Sequence, residues 1–266
     1  MVLEFQRRAA VERELAAAGE VISTPGYCCV CRREVRFHSD LAHGFPGPSG
    51  KLMPNWRERV VCPNCRLNNR MRAAIHFFAH TCQPAADSSI YLTEQTTPLF
   101  AWFTEHYSNS VGSEYLGKGV AAGSCNIEGI RNESLARLSF ADEVFDFILS
   151  FDVFEHIPDY AAAFGECLRC LKRGGALVFT VPFSHGSERN IVRAEVGADG
   201  NVVHHLPPEY HGDPINAGGC LCFYHFGWSL LEELRQLGYK DAAAYFYWSA
   251  ELGYLGGDQL LFMASK

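Results

Sequence analysis

Residues 144–182 read VFDFILSFDVFEHIPDYAAAFGECLRCLKRGGALVFTVP, and this stretch decides the fold. The apolar run from Phe145 to Phe151 predicts a buried strand. An amphipathic helix follows from Asp159 to Leu171, with Phe164, Leu168 and Leu171 on one face at spacings of four and three. Pro158-Asp159 is its start signal and the pair Gly174-Gly175 its stop. Lys172-Arg173-Gly174-Gly175 predicts a tight turn, and Ala176 to Val181 a second buried strand ended by Pro182. Two near-continuous apolar strands joined through a helix make a βαβ unit of a parallel sheet. The fold class is therefore α/β. Such a unit names no activity by itself.

The words inside and beside the stretch go further. Phe140-Ala141-Asp142, Phe145-Asp146, Phe154-Glu155-His156-Ile157-Pro158 and Leu171-Lys172-Arg173-Gly174-Gly175 together resemble the second half of class I S-adenosylmethionine-dependent methyltransferases of the type 11 kind. The resemblance spans residues 88–266 and is densest over 138–182. It implies a Rossmann-like sheet of seven strands whose last strand runs antiparallel beside the fifth, S-adenosylmethionine as cofactor, and methyl transfer as the reaction.

Composition bounds the remaining possibilities. No run is long enough to span a membrane. The first twenty residues predict a charged amphipathic helix without the apolar core of a signal peptide, which makes the cytoplasm the expected compartment. The 11 cysteines then read as thiols and metal ligands. A net charge of −7 argues against a protein that coats nucleic acid. From Cys28 to Arg72, however, nine Lys/Arg stand against three acids, so RNA is the alternative partner to a small molecule.

Two Cys-x-x-Cys pairs, Cys28/Cys31 and Cys62/Cys65, supply four thiolates that can close tetrahedrally on zinc. Cys29 can stand in for Cys28. Four protein ligands leave no open position, so the expected zinc is structural. The expected organisation is an N-terminal helix (1–26), a zinc module (27–82) and a methyltransferase domain (88–266) with a substrate insertion at 184–227. A homodimer through the N-terminal helix is a further possibility. Arg70 and Arg72 follow the second pair. Either they meet an anionic part of a substrate or they make polar contacts between domains.

Ser89 to Thr93 predicts the first strand of the sheet. The resemblance requires a glycine-rich loop next, and this chain has Thr93-Glu94-Gln95-Thr96-Thr97-Pro98 instead. Pro98 suits the first turn of a helix running to His106. Thr93, Glu94, Gln95 and Thr96 take over the amino acid end of the cofactor on this reading. Ser110 to Tyr115 predicts the second strand, and the resemblance gives Glu114 the ribose hydroxyls. Cys125 to Glu133 predicts the third strand, and Glu133, Ser134 and Leu135 align with the segment that flanks adenine. Ser150, Phe151 and Asp152 stand at the carboxyl end of the fourth strand, on the ligand-binding rim. Asp152 and His156 are four residues apart. Either Asp152 caps a turn on which His156 packs, or one of them faces cofactor or substrate.

The insertion predicts a β-hairpin (193–196 with 201–204) and carries five histidines: His185, His204, His205, His211 and His225. Three readings stand side by side: ordinary loop residues, a general base, or a second metal, for which no HxxxH or HxH spacing speaks. The expected catalytic set is His156, Asp152, His211 and His225. His185 and Tyr210 join Arg70 and Arg72 as candidate substrate contacts. A helix from Trp228 to Leu237 and strands at 242–248 and 259–264 complete the expected chain.

Overall fold

The computed structural model describes residues 2–17, 19–47 and 50–266. Met1 and Ala18, inside the expected N-terminal helix, and Pro48 and Ser49, inside the expected Gly44–Gly50 loop, lie outside the described residues. The chain divides into two compact units. One is Met1–Pro84 with Phe246–Gln259; the other is Ala85–Tyr245 with Leu260–Lys266.

The first unit opens with a helix, Val2–Ala16. An antiparallel hairpin follows, Val21–Cys28 with Arg33–Asp40. Its turn carries the first cysteine pair. Short helices Trp56–Arg59 and Asn69–Phe77 flank the second pair. Ile22, Phe37, Trp56, Val60 and Leu255 form the core together with Cys28 and Cys62. Glu12 accepts from the Trp248 indole and from the Gly256 amide, both at 2.8 Å, which fastens the 246–259 segment to the N-terminal helix within this unit.

The second unit is built on the sheet that the sequence predicts. Parallel pairing joins Ser110–Gly112 to Ile90–Leu92, Ile90–Leu92 to Phe145–Phe151, and Phe145–Phe151 to Leu171–Thr180. Residues 262–265 of the strand Tyr254–Ser265 then pair antiparallel with residues 176–179, and Asp241–Ser249 is next in the strand order; residues 246–259 of these two strands count with the first unit. These are six strands. The seventh position, at the edge beyond Ser110–Gly112, is a single parallel bridge between Glu114 and Asn132. The expected third strand from Cys125 to Glu133 is thus reduced to one residue. Asn126 Oδ1 accepts from the amides of Glu128 and Ile130 and folds that segment into a turn closed by a Cys125–Arg131 bridge.

The central βαβ unit holds with one correction. The helix runs Tyr160–Cys170, and the Asp159 side chain caps it by accepting from the Ala162 amide at 3.0 Å. Residues 172–175 are a bulge rather than a free turn. Phe145 pairs with Leu171 and Phe147 already pairs with Ala176, so pairing resumes at once and the extra residues are squeezed out. A Cβ on Gly175 would lie 2.7 Å from the Asp146 carbonyl oxygen, so only glycine fits there. Tyr91, Phe145, Ile148, Phe154, Phe164, Leu177, Phe179 and Phe262 form the core of this unit. The insertion contains the expected hairpin, Ala194–Val196 with Val202–His204. A second small ladder, Tyr210–His211 with Cys220–Leu221, matters for the site.

Candidate active site

The carboxyl ends of the parallel strands form the rim of the second unit. Thr93, just past Ile90–Leu92, donates its hydroxyl to Ser150 Oγ at 3.0 Å, and both residues are buried. Asp152 follows Phe145–Phe151 in a left-handed conformation with φ 57°. Its amide donates to the Thr180 carbonyl and its Oδ1 accepts from the Thr180 hydroxyl at 2.9 Å. These bonds hold an otherwise unfavourable backbone turn at the strand end.

The glycine-poor loop is locked to the second strand. Glu114 Oε1 accepts from the amides of Gln95 (2.8 Å) and Thr96 (3.0 Å) and from the Thr96 hydroxyl (2.8 Å). The Gln95 side chain reaches on to residues 129–131, donating to the Gly129 carbonyl and accepting from the Arg131 amide. Thr97 caps the helix Pro98–His106, whose bounds match the expectation from Pro98, and also donates to Glu94. The glycine this loop lacks is found opposite it. A Cβ on Gly112 would stand 2.7 Å from the Glu94 carbonyl oxygen and 2.5 Å from the Phe100 ring.

Two of the residues assigned to the adenine segment have other roles. Glu133 is buried, and both its oxygens are taken. Oε1 accepts from Arg131 Nε at 2.8 Å and from the Ser139 hydroxyl at 2.5 Å, and Oε2 accepts from the Ser139 amide at 2.9 Å. Its carboxylate therefore ties residues 131–139 together. Leu135 is buried in the hydrophobic core. Ser134, Phe151, Ser150, Asp152 and Glu114 remain on strand ends or the segments that follow them.

A cluster of acids and imidazoles forms where the rim meets the insertion. Glu155 and His156 sit on the short 3-10 turn Phe154–His156, directly after the fourth parallel strand. His211 comes from the small ladder in the insertion. Glu155 is fully buried, and its Oε1 lies 3.5 Å from His156 Nε2 and 3.4 Å from His211 Nδ1. Neither Glu155 oxygen has a hydrogen-bond partner of ordinary geometry. His156 Nδ1 lies 2.8 Å from the Leu221 carbonyl oxygen, and His211 Nε2 lies 3.0 Å from Glu209 Oε1. Glu209 also meets His225 Nε2 at 3.1 Å and Arg193 at 3.0 Å. Burial pushes the Glu155 carboxyl above its ordinary range. His211 is pushed up to about 9, mainly by Glu155, against the opposing effect of burial and with help from Glu209.

The expected catalytic residues His156, His211 and His225 are thus brought together, through two acids to which the sequence reading gave no role. The signal for Glu155 was its place beside His156 at a strand end. Glu209 had none, because only the ladder pairing brings it there. His185 stands apart, its ring against Phe183 at 5.5 Å, and Tyr210 is exposed on the ladder.

In the first unit the four expected ligands converge. The Sγ atoms of Cys28, Cys31, Cys62 and Cys65 all lie within 4.8 Å of one another, and Cys29 is outside the set. Both knuckles have the same build. Arg32 and Arg66, each just after its second cysteine, take φ values of 54° and 61°, and each donates its amide to the carbonyl of the first cysteine. Arg72 corrects the substrate reading. It is fully buried, donates to the carbonyls of Leu252 (2.7 Å), Gly253 (3.0 Å) and Val60 (3.2 Å), and stacks on Phe37 at 4.1 Å. Arg70 pairs with Glu58 at 2.8 Å.

Strand order and the antiparallel strand beside Leu171–Thr180 define the Rossmann-like fold of class I methyltransferases. Comparison with known proteins agrees: residues 96–179 match the family described as "Methyltransferase domain". The matched segment runs from the loop after the first strand to the strand Leu171–Thr180, the part of the sheet that carries the rim. Among solved structures, it is similar to an S-adenosylmethionine-dependent methyltransferase from Mesorhizobium loti, at 18% identity over 74% of this chain and 100% of that one, with a TM-score of 0.45. It is also similar to 1,6-didemethyltoxoflavin-N1-methyltransferase from Burkholderia thailandensis, bound to 1,6-didemethyltoxoflavin and S-adenosylhomocysteine, at 16% identity over 74% and 77% of the chains, TM-score 0.44. A glycopeptide N-methyltransferase complexed with S-adenosylhomocysteine shows 14% identity over 73% and 86%, TM-score 0.45. No curated protein matches the chain.

Proposed function

We propose that the protein transfers the methyl group of S-adenosylmethionine to a small-molecule or sugar-containing metabolite, and that its N-terminal unit is held by a structural zinc ion. The observation that carries the first part is Glu114. It stands past the second parallel strand, where open α/β sheets bind a ribose, and only its Oε1 is used by the loop. Oε2 takes none of those bonds and is left for a ribose hydroxyl. S-adenosylmethionine brings an activated methyl group, and the chain's own residues align the acceptor. Thr93, Glu94, Gln95 and Thr96 line one side of the cofactor on this reading, and Ser134, Ser150, Phe151 and Asp152 the other. His156, Asp152, His211 and His225 face the acceptor, and His185 and Tyr210 are further acceptor contacts from the insertion.

A small acceptor is favoured over RNA because the basic excess of the first unit is largely used internally. Arg59 pairs with Asp40, Arg57 and Arg70 with Glu58, Arg36 bonds to Ser23, and Arg72 is buried. For zinc, the donor set fits. Four thiolates with a divalent ion carry a net negative charge, and Arg72 supplies a buried cation among backbone carbonyls in the same core.

Isothermal titration of zinc-loaded, full-length protein with S-adenosylmethionine tests the reading, and absence of binding would sink it. A second reading, a binding module that has lost catalysis, draws on the commitment of Glu133 and of the loop amides to internal bonds. A structure with S-adenosylhomocysteine bound against Glu114 would favour the enzyme, and transfer of a methyl group to an acceptor would exclude the second reading.

A further inference from the structure

We propose that Glu155, His156 and His211 form a second metal site, separate from the cysteine cluster, which takes one divalent first-row transition-metal ion. The three candidate donor atoms lie within 4.8 Å of one another. Two imidazoles and one carboxylate are a donor set suited to zinc or ferrous iron.

The orientation of each ring carries the inference. A carbonyl only accepts, so His156 Nδ1 donates its proton to Leu221 O at 2.8 Å. That leaves the Nε2 lone pair facing Glu155. Glu209 likewise accepts from His211 Nε2 at 3.0 Å and leaves His211 Nδ1 facing Glu155. Metal-bound histidines are held in this way, with the second ring nitrogen tied to a carbonyl or a carboxylate. Glu155 is the independent observation. A carboxylate with no exposure, whose facing imidazole nitrogens stand at 3.4 and 3.5 Å and outside ordinary hydrogen-bond geometry, is costly, and a metal cation between it and the two rings removes that cost. His211 keeps 30% exposure and His156 14%, so the site opens to solvent on the imidazole side.

A neighbouring set, Glu209, His211 and Cys222, also falls within 4.8 Å. It is the weaker site. Glu209 is already engaged by Arg193, His211 and His225, and the Cys222 thiol donates to the Tyr224 carbonyl at 3.2 Å.

Three protein ligands leave a coordination position open. Resting on the methyltransferase reading, the group that fills it is an oxygen of the methyl acceptor, a hydroxyl or a carboxylate, brought to the same rim as the cofactor.

The test is a Co2+ and Zn2+ titration of chelator-stripped, full-length protein. Two equivalents are expected. The first gives strong thiolate-to-cobalt charge-transfer absorption, and the second adds only weak d–d bands. His156→Ala combined with His211→Ala should abolish the second equivalent and keep the first. Glu209→Ala, which removes the group that orients His211 and leaves the three proposed ligands in place, should weaken the second about 10–100-fold. Binding of a single equivalent by the wild type overturns the proposal. So does a second equivalent that adds thiolate absorption, which would place the ion at Cys222, or a double variant that still binds two. Calorimetry with S-adenosylmethionine separates this site from the proposed function. Cofactor binding without the second metal equivalent removes the metal site alone, and the reverse result removes the methyltransferase reading alone.

Discussion

Replacing Arg72 by Met tests what holds the first unit together. The guanidinium has no exposure and donates to three backbone carbonyls at 2.7, 3.0 and 3.2 Å. Methionine fills much of the volume but donates nothing. Each stranded carbonyl then costs about 1 kcal/mol or somewhat more, for a total of about 3–4 kcal/mol, near the lower end of the cost of breaking a buried charged contact. With a urea slope of about 2 kcal/mol/M, the midpoint should fall by about 1.5–2 M. Thiolate-to-cobalt charge-transfer absorption of the cobalt-loaded protein, followed across the urea series, reads this unit specifically because the four clustered thiols belong to it. Arg72→Lys keeps the charge and loses the planar fork, so it should recover part of the loss. A shift of the Arg72→Met midpoint by less than about 0.5 M, with the thiolate absorption retained, would refute the reasoning.

Further outcomes follow from other parts of the structure. Cys62→Ser should cost the first unit the proposed zinc and its cooperative melt, because Cys62 is both a candidate ligand and a buried core residue; metal analysis and calorimetry read both. Glu114→Ala removes the acceptor of three loop bonds and the proposed ribose contact, and should weaken S-adenosylmethionine binding about 10–100-fold in calorimetry. The Glu166 carboxyl is held below its ordinary value of 4.5 mainly by hydrogen bonds from Arg169. Its contribution to stability is therefore complete above about pH 4.5 and disappears as pH falls through the lowered folded value. Glu166→Gln should narrow the difference in unfolding free energy between pH 6 and pH 3, by about 1 kcal/mol or less after solvent screening of this half-buried pair. An unchanged difference would show that the pair contributes nothing.

Much of this was legible because it is written locally. Phe145 to Phe151 is an uninterrupted apolar run, Asp159 and Pro98 mark helix starts, and each cysteine pair sits on its own turn. The antiparallel last strand was implied by the family resemblance and is confirmed by the pairing of Phe262 with Phe179. What escaped was set by contacts distant in sequence. Arg72 looked like a surface cation until Leu252 and Gly253 supplied its acceptors. Glu133 looked available until Ser139 folded back onto it. The third strand failed because Asn126 and Gly129 favour a turn, an effect that a run of mixed residues does not advertise. The cluster at Glu155 needed the pairing of His211 with Cys220, which brings the insertion back against the fourth strand end.

The placement of Phe246–Gln259 in the first unit has a consequence for biosynthesis. Leu255 lies in that unit's core, Trp248 packs against it, and Glu12 and Arg72 bond to residues 248–256. The N-terminal unit therefore emerges from the ribosome before the bulk of the second unit but lacks part of its own interior until residues 246–259 have been made. Its four clustered cysteines are made about 180 residues before the segment that completes the core around them. A fragment ending at residue 84 should accordingly be insoluble or unfolded when expressed alone, and should recover order only when the 246–259 segment is supplied.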